Sequence, residues 1–539
     1  MWSSSYDPNF HKPDFMKRNL STCLLFALAL SLSLSAPFVS ASGMALQEDT
    51  RASMASKETK KETKKEDKKG SNKEAPKKQI SLKPLEAVIE IAGQKVDYTV
   101  TAETLILRND KGKERASVFH VSYIKNDTQA KERPVMFALN GGPGSSAVWL
   151  HLGALGPKLV PTTEDGTETL APPVTLIDNP HSILDVADLV FIDPVSTGYS
   201  RIEGDSKGAE FHGMEGDIKS VSDFIRRWVT EHKRWSSPKF ILGESYGGFR
   251  AAGLARELQS AYGMNLNGVV LLSSLLDYRT RRSNQGDFLT NQIYLPNMVS
   301  AAHFHGKIAG DRDALIAEAK AFASDQYAQA LFAGATLSKE ESDVIASKLA
   351  ELTGVSAEIW SETNLRLSST RFRSELLRDE GKVLGRFDAR VAWPAQSKSK
   401  DSPAYDPSYA VVYGAFATAM NAYLTDDLGG DEIYHPYRIL TSKVRPWKWN
   451  SDQSAPNTSL RLQQAMTNNP DLRVLVMGGR TDFATPLGAV QYTLNQMVDL
   501  PAQSRERISY TEYDAGHMFY LNEPDLKKLR NDLVEFIEK

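Results

Sequence analysis

The stretch Gly243-Glu244-Ser245-Tyr246-Gly247-Gly248 constrains this chain more than any other. It fits Gly-x-Ser-x-Gly, in which a serine sits on a sharp turn between a strand and a helix. Such a turn leaves no room for side chains beside the serine, and its backbone angles suit glycine. The flanks supply both partners. Lys239-Phe240-Ile241-Leu242, entered from Pro238, is a compact apolar run that predicts a buried strand. After the turn, Ala251, Leu254, Ala255 and Leu258 recur at helical spacing. Strand, turn and helix occur in the required order.

Other runs extend this into a parallel α/β section. Val135 to Leu139, Asp188 to Ile192 and Val269 to Leu272 each read as a buried strand. Ile218, Val221, Phe224, Ile225 and Trp228 mark one face of a helix before the serine turn. Upstream, Val88 to Ile91, Val96 to Val100, Leu105 to Leu107 and Val118 to Tyr123 predict short strands separated by turns. From about 280 to 465 the pattern turns helical, with Ser338 and Glu341 forming a capping box. Strand signals return at Leu472 to Met477 and Ile508 to Tyr513. The expected organisation is a core in two parts, 80–280 and 466–539, interrupted by a helical cap over 281–465.

The N-terminal region reads differently. Lys17 and Arg18 precede an apolar run from Leu24 to Leu34, and Val39-Ser40-Ala41 offers small residues for cleavage. Residues 1–41 are therefore expected to be an export signal, with Met16 as an alternative start, leading to a periplasmic or secreted protein. The run is short for a spanning helix, so no stable membrane span is expected after cleavage. Residues 42–79 hold a Lys/Glu-rich segment with Lys-Glu-Thr-Lys occurring twice, which cannot form a core and is expected to be a disordered linker. The only cysteine, Cys23, lies inside the signal. A mature chain without cysteine has no disulfide, no thiol nucleophile and no cysteine-ligated metal. A net charge of −3 gives no reason to expect a nucleic-acid partner.

A serine hydroxyl needs a base to take its proton and a third group to hold that base. With a serine turn of this kind, acid and histidine follow the serine in sequence. His303, His305, His435 and His517 follow Ser245. His517 directly follows the last predicted strand, in Asp514-Ala515-Gly516-His517-Met518, and is the expected base. His303, His305 and His435 lie in the insertion, where nothing nearby completes a metal site, and neither metal nor cofactor is expected. Asp482, after Gly478-Gly479-Arg480-Thr481, is the expected acid. Asp514 is its rival by proximity, though neighbours on one tight loop rarely align head-on. An oxyanion needs two N–H donors. One is expected from Tyr246, and the other from Asn140-Gly141-Gly142-Pro143-Gly144-Ser145-Ser146, which follows an early strand.

With these stretches in place, the chain resembles the serine carboxypeptidases, peptidase family S10 of the α/β hydrolases. The matching segments are Asn140 to Ser146, Asp193-Pro194-Val195-Ser196-Thr197-Gly198-Tyr199-Ser200, Gly243 to Gly248, Gly478 to Asp482, and Gly516 to Met518. The resemblance implies an α/β-hydrolase fold, with a mostly parallel central sheet and a large helical cap insertion. It implies Ser245, Asp482 and His517 as the triad, and Gly142 and Tyr246 as oxyanion donors. It further implies that Asn140 and Glu244 bind the free C-terminal carboxylate of a peptide, with Gly141 and Met518 completing the substrate site. Glu244 suits that role, because a carboxyl beside a partly buried nucleophile favours its protonated form and can then donate to a carboxylate. Peptidase activity favouring acidic pH is expected.

Three positions depart from the family pattern. Ala154 stands where a Glu usually partners the elbow glutamate, Ala138 where a Trp is usual, and Ser145 where a disulfide cysteine is usual. The last fits a disulfide-free bacterial branch; the other two bear on exopeptidase specificity. Arg250 is a candidate substitute contact for a carboxylate, with a solvent-facing position as the alternative. Two other readings stand beside carboxypeptidase: an esterase, amidase, acyltransferase or other peptidase with the same machinery, and a non-catalytic envelope-binding protein.

Overall fold

The computed structural model describes residues 80–539 apart from 169–170, 172, 282–285, 398 and 450–454. The expected signal, the Lys/Glu linker and Cys23 lie outside the described residues. Three antiparallel strands come first: β1 (Leu85–Ile91), β2 (Gln94–Arg108) and β3 (Glu114–Lys125). The two short strands expected over 96–107 are one long strand, β2. Val96, Tyr98, Val100, Ala102 and Thr104 are buried at every second position, and the phase then shifts at Leu105, so Leu105 and Leu107 pack on the opposite face of the same continuous strand.

The apolar runs become β4 (Val135–Leu139), β5 (Asp188–Ile192), β6 (Lys239–Glu244) and β7 (Gly268–Leu272), each buried along its whole length. Near the C-terminus β8 (Arg473–Gly479) and β9 (Ile508–Tyr513) complete the sheet, in the order β1-β2-β3-β5-β4-β6-β7-β8-β9. From β5 to β9 neighbouring strands are parallel, while β3 meets β5 antiparallel. The chain passes from β4 outward to β5, then returns to the other side of β4 as β6. That reversal is a topological switch point, and ligands in open α/β sheets bind in the crevice beyond the strand ends there. The loops leaving β4 and β6 carry the two glycine-rich motifs.

Alternation along the parallel strands divides the core into two layers. Phe137, Leu139, Ile241, Val269 and Leu271 face one side, against Ile218, Phe224 and Trp228 of α1 (Met214–Glu231) and Leu254 and Leu258 of α2 (Tyr246–Tyr262). Met136, Ala138, Leu242 and Val270 face the other. Between β7 and β8 the chain inserts α3 (Leu289–Phe304), the capped helix Lys339–Thr353 with reciprocal Ser338 and Glu341 bonds, and α4 (Pro407–Ala422). Much of this insertion has its own core, including Leu295, Met298, Tyr327, Leu349, Trp360 and Phe372.

The insertion is not a separate cap throughout. Val412, Phe416 and Ala419 of α4 join the sheet's second layer, and α5 (Ser459–Asn468) packs Leu462 and Met466 into the first. Helical stripes within 281–465 thus meet both layers of the sheet. The last helix, α6 (Glu523–Glu538), lays Leu529, Leu533 and Phe536 on the second layer. Among the described residues no helix is long and apolar enough to cross a membrane.

Candidate active site

Ser245 is the single residue between β6 and α2, with φ 60° and ψ −126°. A serine in that region is strained by roughly 1–3 kcal/mol, so the surroundings must enforce the turn. Ser245 N donates to Leu272 O at 3.0 Å, and Gly248 N donates to Ser245 O at 3.0 Å. The turn is tight enough that a Cβ on Gly243 would lie 2.1 Å from Gly247 O. Strain therefore holds the serine up from the strand end, at the N-terminus of α2, where peptide dipoles favour developing negative charge.

The loop after β4 lies directly on this turn. A Cβ at Gly141 would stand 2.5 Å from Tyr246 N, 2.8 Å from Glu244 O and 2.9 Å from Ser245 Cβ, so only glycine allows the approach. Gly142 follows with its backbone exposed. The structure thus brings Asn140, Gly141 and Tyr246 together beside Ser245, with Gly142 next along the loop. Arg250 is neither solvent-facing nor turned to a substrate. It is 1% exposed, donates from Nη1 to Asn140 O at 2.8 Å, and pairs through Nε with Asp217 Oδ2 at 2.8 Å. Because α2 starts at the elbow, residue 250 falls one turn inside it and braces the glycine-rich loop after β4. On the loop's far side Ser145 forms a bridge with Leu440 of the insertion and accepts from Trp149 Nε1 at 2.9 Å.

Asp482 and His517 come from the loops after β8 and β9, which are adjacent parallel strands. Asp482 Oδ2 lies 2.9 Å from His517 Nδ1, and both residues are buried. Ala484 N and Thr485 N donate to Asp482 Oδ1 at 2.7 and 3.0 Å, which fixes the carboxylate as an acceptor. Thr485 Oγ1 is 2.9 Å from the same His517 Nδ1 and donates to Ser273 O at 2.6 Å. With acceptors on both sides, Nδ1 carries the proton and Nε2 is left basic. Asp514, the rival acid, is instead at the surface with Arg312, at 2.8 Å.

One insertion segment ties these two loops together. Phe387 stacks on the His517 ring with centroids 5.0 Å apart, and its carbonyl accepts from His517 N at 2.5 Å. Asp388 accepts from Thr481 Oγ1 at 2.8 Å and from Gly516 N at 3.2 Å. The insertion therefore contributes directly to holding the Asp482 and His517 loops in register.

Glu244 is 3% exposed beside Ser245. Burial pushes its carboxyl up to about 7, and His517, Tyr520 and Asn140 pull it partly back down. Tyr520 Oη donates to Glu244 Oε2 at 2.8 Å, while Glu244 Oε1 faces His517 Nε2 at 3.9 Å. Asn140 also accepts from Leu150 N through Oδ1 at 3.1 Å. Met518 is 8% exposed and lines a small crevice with Phe387, Val391 and Val411. His303 and His305 bond the carbonyls of Gly310 and Ala389. Among the described residues, no group of three or more His, Cys, Asp or Glu is disposed to hold a metal. A cavity of about 370 Å³, walled by Ile293, Pro296, Ile316 and Leu487 and reaching Gly479 and Arg480, includes none of Ser245, Asp482 or His517 in its lining.

Sequence reasoning missed Thr485, the Phe387–Asp388 clamp and Tyr520. Thr485 had a local signal, since an aspartate side chain commonly accepts from backbone N–H groups a few residues on, as Asp482 does from Ala484 N and Thr485 N. Tyr520, three residues after the histidine, had a weaker one. The clamp had none, because it reaches its targets across about 100 residues of chain.

The sequence profile described as serine carboxypeptidase matches residues 107–523. Serine carboxypeptidase-like 1 of Arabidopsis thaliana is 29% identical over 187 residues, covering 33% of this chain and 41% of the relative. Serine carboxypeptidase-like 16 of the same plant is 28% identical over 200 residues, covering 34% and 44%. These matches span less than half the length of the curated relatives. Among solved structures, proline iminopeptidase of Mycobacterium smegmatis aligns over 81% of this chain and 97% of its own, at 14% identity and a TM-score of 0.35, too loose to carry an argument.

Proposed function

The chain belongs to the serine carboxypeptidase family, and from that premise we propose that it is an exported serine-type carboxypeptidase acting through an acyl-enzyme. The observation that carries this reading is the His517 Nδ1–Asp482 Oδ2 contact at 2.9 Å, on loops neighbouring the strained Ser245 turn. His517 Nε2 takes the Ser245 proton as Oγ attacks the last peptide carbonyl. The oxyanion meets Tyr246 N and the Gly142 amide. The C–N bond breaks, His517 passes its proton to the leaving amine, and the C-terminal amino acid departs. Water, activated by the same histidine, then cleaves the ester and restores Ser245.

Exopeptidase selection is assigned to Asn140 and Glu244, which receive the terminal carboxylate. A protonated Glu244 donates to that group, so kcat/KM for free-acid peptides falls as pH rises through about 7. Export rests on Lys17, Arg18 and the apolar run that follows them. A second reading, a serine esterase or acyltransferase of the same fold, draws its support from Ala154, which removes the family's usual carboxyl partner.

The test offers the purified mature protein N-blocked peptides with free C-termini, the same peptides amidated, and simple esters. Preference for the free acid, abolished by Ser245→Ala, supports the first reading. Equal turnover of the amides sinks it, and ester turnover alone favours the second. No turnover of any acyl substrate points to a binding protein on a hydrolase scaffold.

A further inference from the structure

The partner that Ala154 denies to Glu244 comes from elsewhere in the chain. Tyr520, in the turn after His517, is 1% exposed, and its hydroxyl donates to Glu244 Oε2 at 2.8 Å. Burial, with Glu244 alongside, raises the phenol's pKa well above its ordinary value, so the O–H remains a donor throughout the working pH range. The segment carrying Ala154 makes room for this ring: a Cβ on Gly153 would lie 2.8 Å from Tyr520 Cε2. A larger residue at 153 would displace the phenol from the site.

We propose that Tyr520 is a positioning residue for substrate recognition, its hydroxyl occupying Glu244 Oε2 and confining the acid proton to Oε1, the oxygen turned toward His517. The inference rests on the reading of Glu244 as the carboxylate receptor. Its logic is geometric. A protonated carboxyl has one O–H, and Oε2, as acceptor for a permanent donor, is the poor place for it. The proton on Oε1 then points where a substrate carboxylate arrives beside the triad histidine.

The same contact sets the pH range in a way that a second carboxyl would not. A phenol stabilises the ionised form of Glu244, whereas a neighbouring carboxylate repels it. The groups facing Glu244 come from three loops: Asn140 after β4, Asp482 after β8, and His517 and Tyr520 after β9. The turn His151–Leu155 adds no charge toward it, since burial lowers the His151 imidazole to about 3 and the ring is bonded to Tyr123 Oη at 2.6 Å. Of these groups, Tyr520 is the one whose effect is removed by deleting a single buried oxygen.

Tyr520→Phe keeps the ring and deletes the hydroxyl. Full pH profiles of kcat/KM are measured for a free-acid N-blocked dipeptide and for a simple ester, which needs no terminal carboxylate and serves as reference. In Tyr520→Phe the alkaline limb for the free acid moves upward relative to the ester limb by about one pH unit, because ionised Glu244 has lost a charge-assisted donor. KM for the free acid rises more than kcat falls. In a Glu244→Gln background, adding Tyr520→Phe produces no such relative shift. An unmoved free-acid limb overturns the inference while leaving the carboxylate receptor intact, provided the wild type still prefers free acids. Limbs that move together for acid and ester also overturn it, since they place the effect on His517. A wild type indifferent to amidation overturns the Glu244 reading and the inference together.

Discussion

Gly141→Ala is the substitution whose consequence can be worked most directly from the structure. The added Cβ would lie 2.5 Å from Tyr246 N, and an ordinary contact begins at 3.4 Å, so loop and elbow must part by roughly 0.9 Å. Both sides are backbone, and Ser245 Cβ, at 2.9 Å from the added carbon, leaves no lateral escape. Oxyanion donors act at about 2.7–3.1 Å from the developing charge. A displacement of that size removes one of them, which is worth about 2.7–4 kcal/mol, or about 100- to 1,000-fold in kcat. Overpacking also costs about 1–3 kcal/mol of stability. Ester hydrolysis under single-turnover conditions reads the chemical step, and urea melts read the stability. Gly414→Ala is the control. It lies on the exposed face of α4 with nothing within 4 Å of an added Cβ, and it is expected to stabilise by up to about 1 kcal/mol. Gly141→Ala with kcat within about threefold of wild type would refute the assignment of this loop to the oxyanion.

Three further substitutions probe the remaining parts. Asp482→Asn keeps the shape but reverses the hydrogen bonding at His517 Nδ1, and is expected to lower kcat by about 10⁴-fold with little change in KM; steady-state ester kinetics check it. Asp388→Ala frees Thr481 and Gly516 from their shared anchor, and about a tenfold loss of kcat is expected, from slackened alignment rather than lost chemistry; single-turnover rates distinguish the two. Glu244→Gln links pH to stability. The folded carboxyl titrates at about 7 against an ordinary 4.5, so between those values the unfolded state releases its proton first. Wild-type stability therefore falls as pH rises through that window and levels off above it, by at most about 3 kcal/mol from this group. The glutamine variant escapes the loss, so urea melts at about pH 5 and about pH 8 should show its advantage growing with pH.

What the sequence made legible were features enforced locally. The serine turn could be read because Gly243 and Gly247 pass within contact of each other, which dictates residue type at short spacing. The strands β4 to β7 could be read because burial on both faces leaves continuous apolar runs. Asp482 stood out over Asp514 because adjacent parallel strands bring separate loops together, whereas a tight turn does not align its own neighbours. Long-range partnerships were hidden. Phe387 and Asp388 look like any loop dipeptide until the insertion folds back onto the Asp482 and His517 loops. Arg250 offered a charge near the elbow, but only the packing of α2 on α1 shows it committed to Asp217 and the Asn140 carbonyl. The carboxyl partner missing at Ala154 was visible as a gap. That Tyr520 reaches Glu244 depends on the room beside Gly153, which spacing alone does not reveal.

The most direct test of the proposed triad is to locate the covalent adduct of a serine-directed fluorophosphonate by tandem mass spectrometry, with its rate of formation measured in the wild type and in His517→Ala. A single adduct on Ser245, formed at least about a hundredfold more slowly in the histidine variant, is the predicted result. An adduct on another residue, or equal labelling without His517, would contradict it.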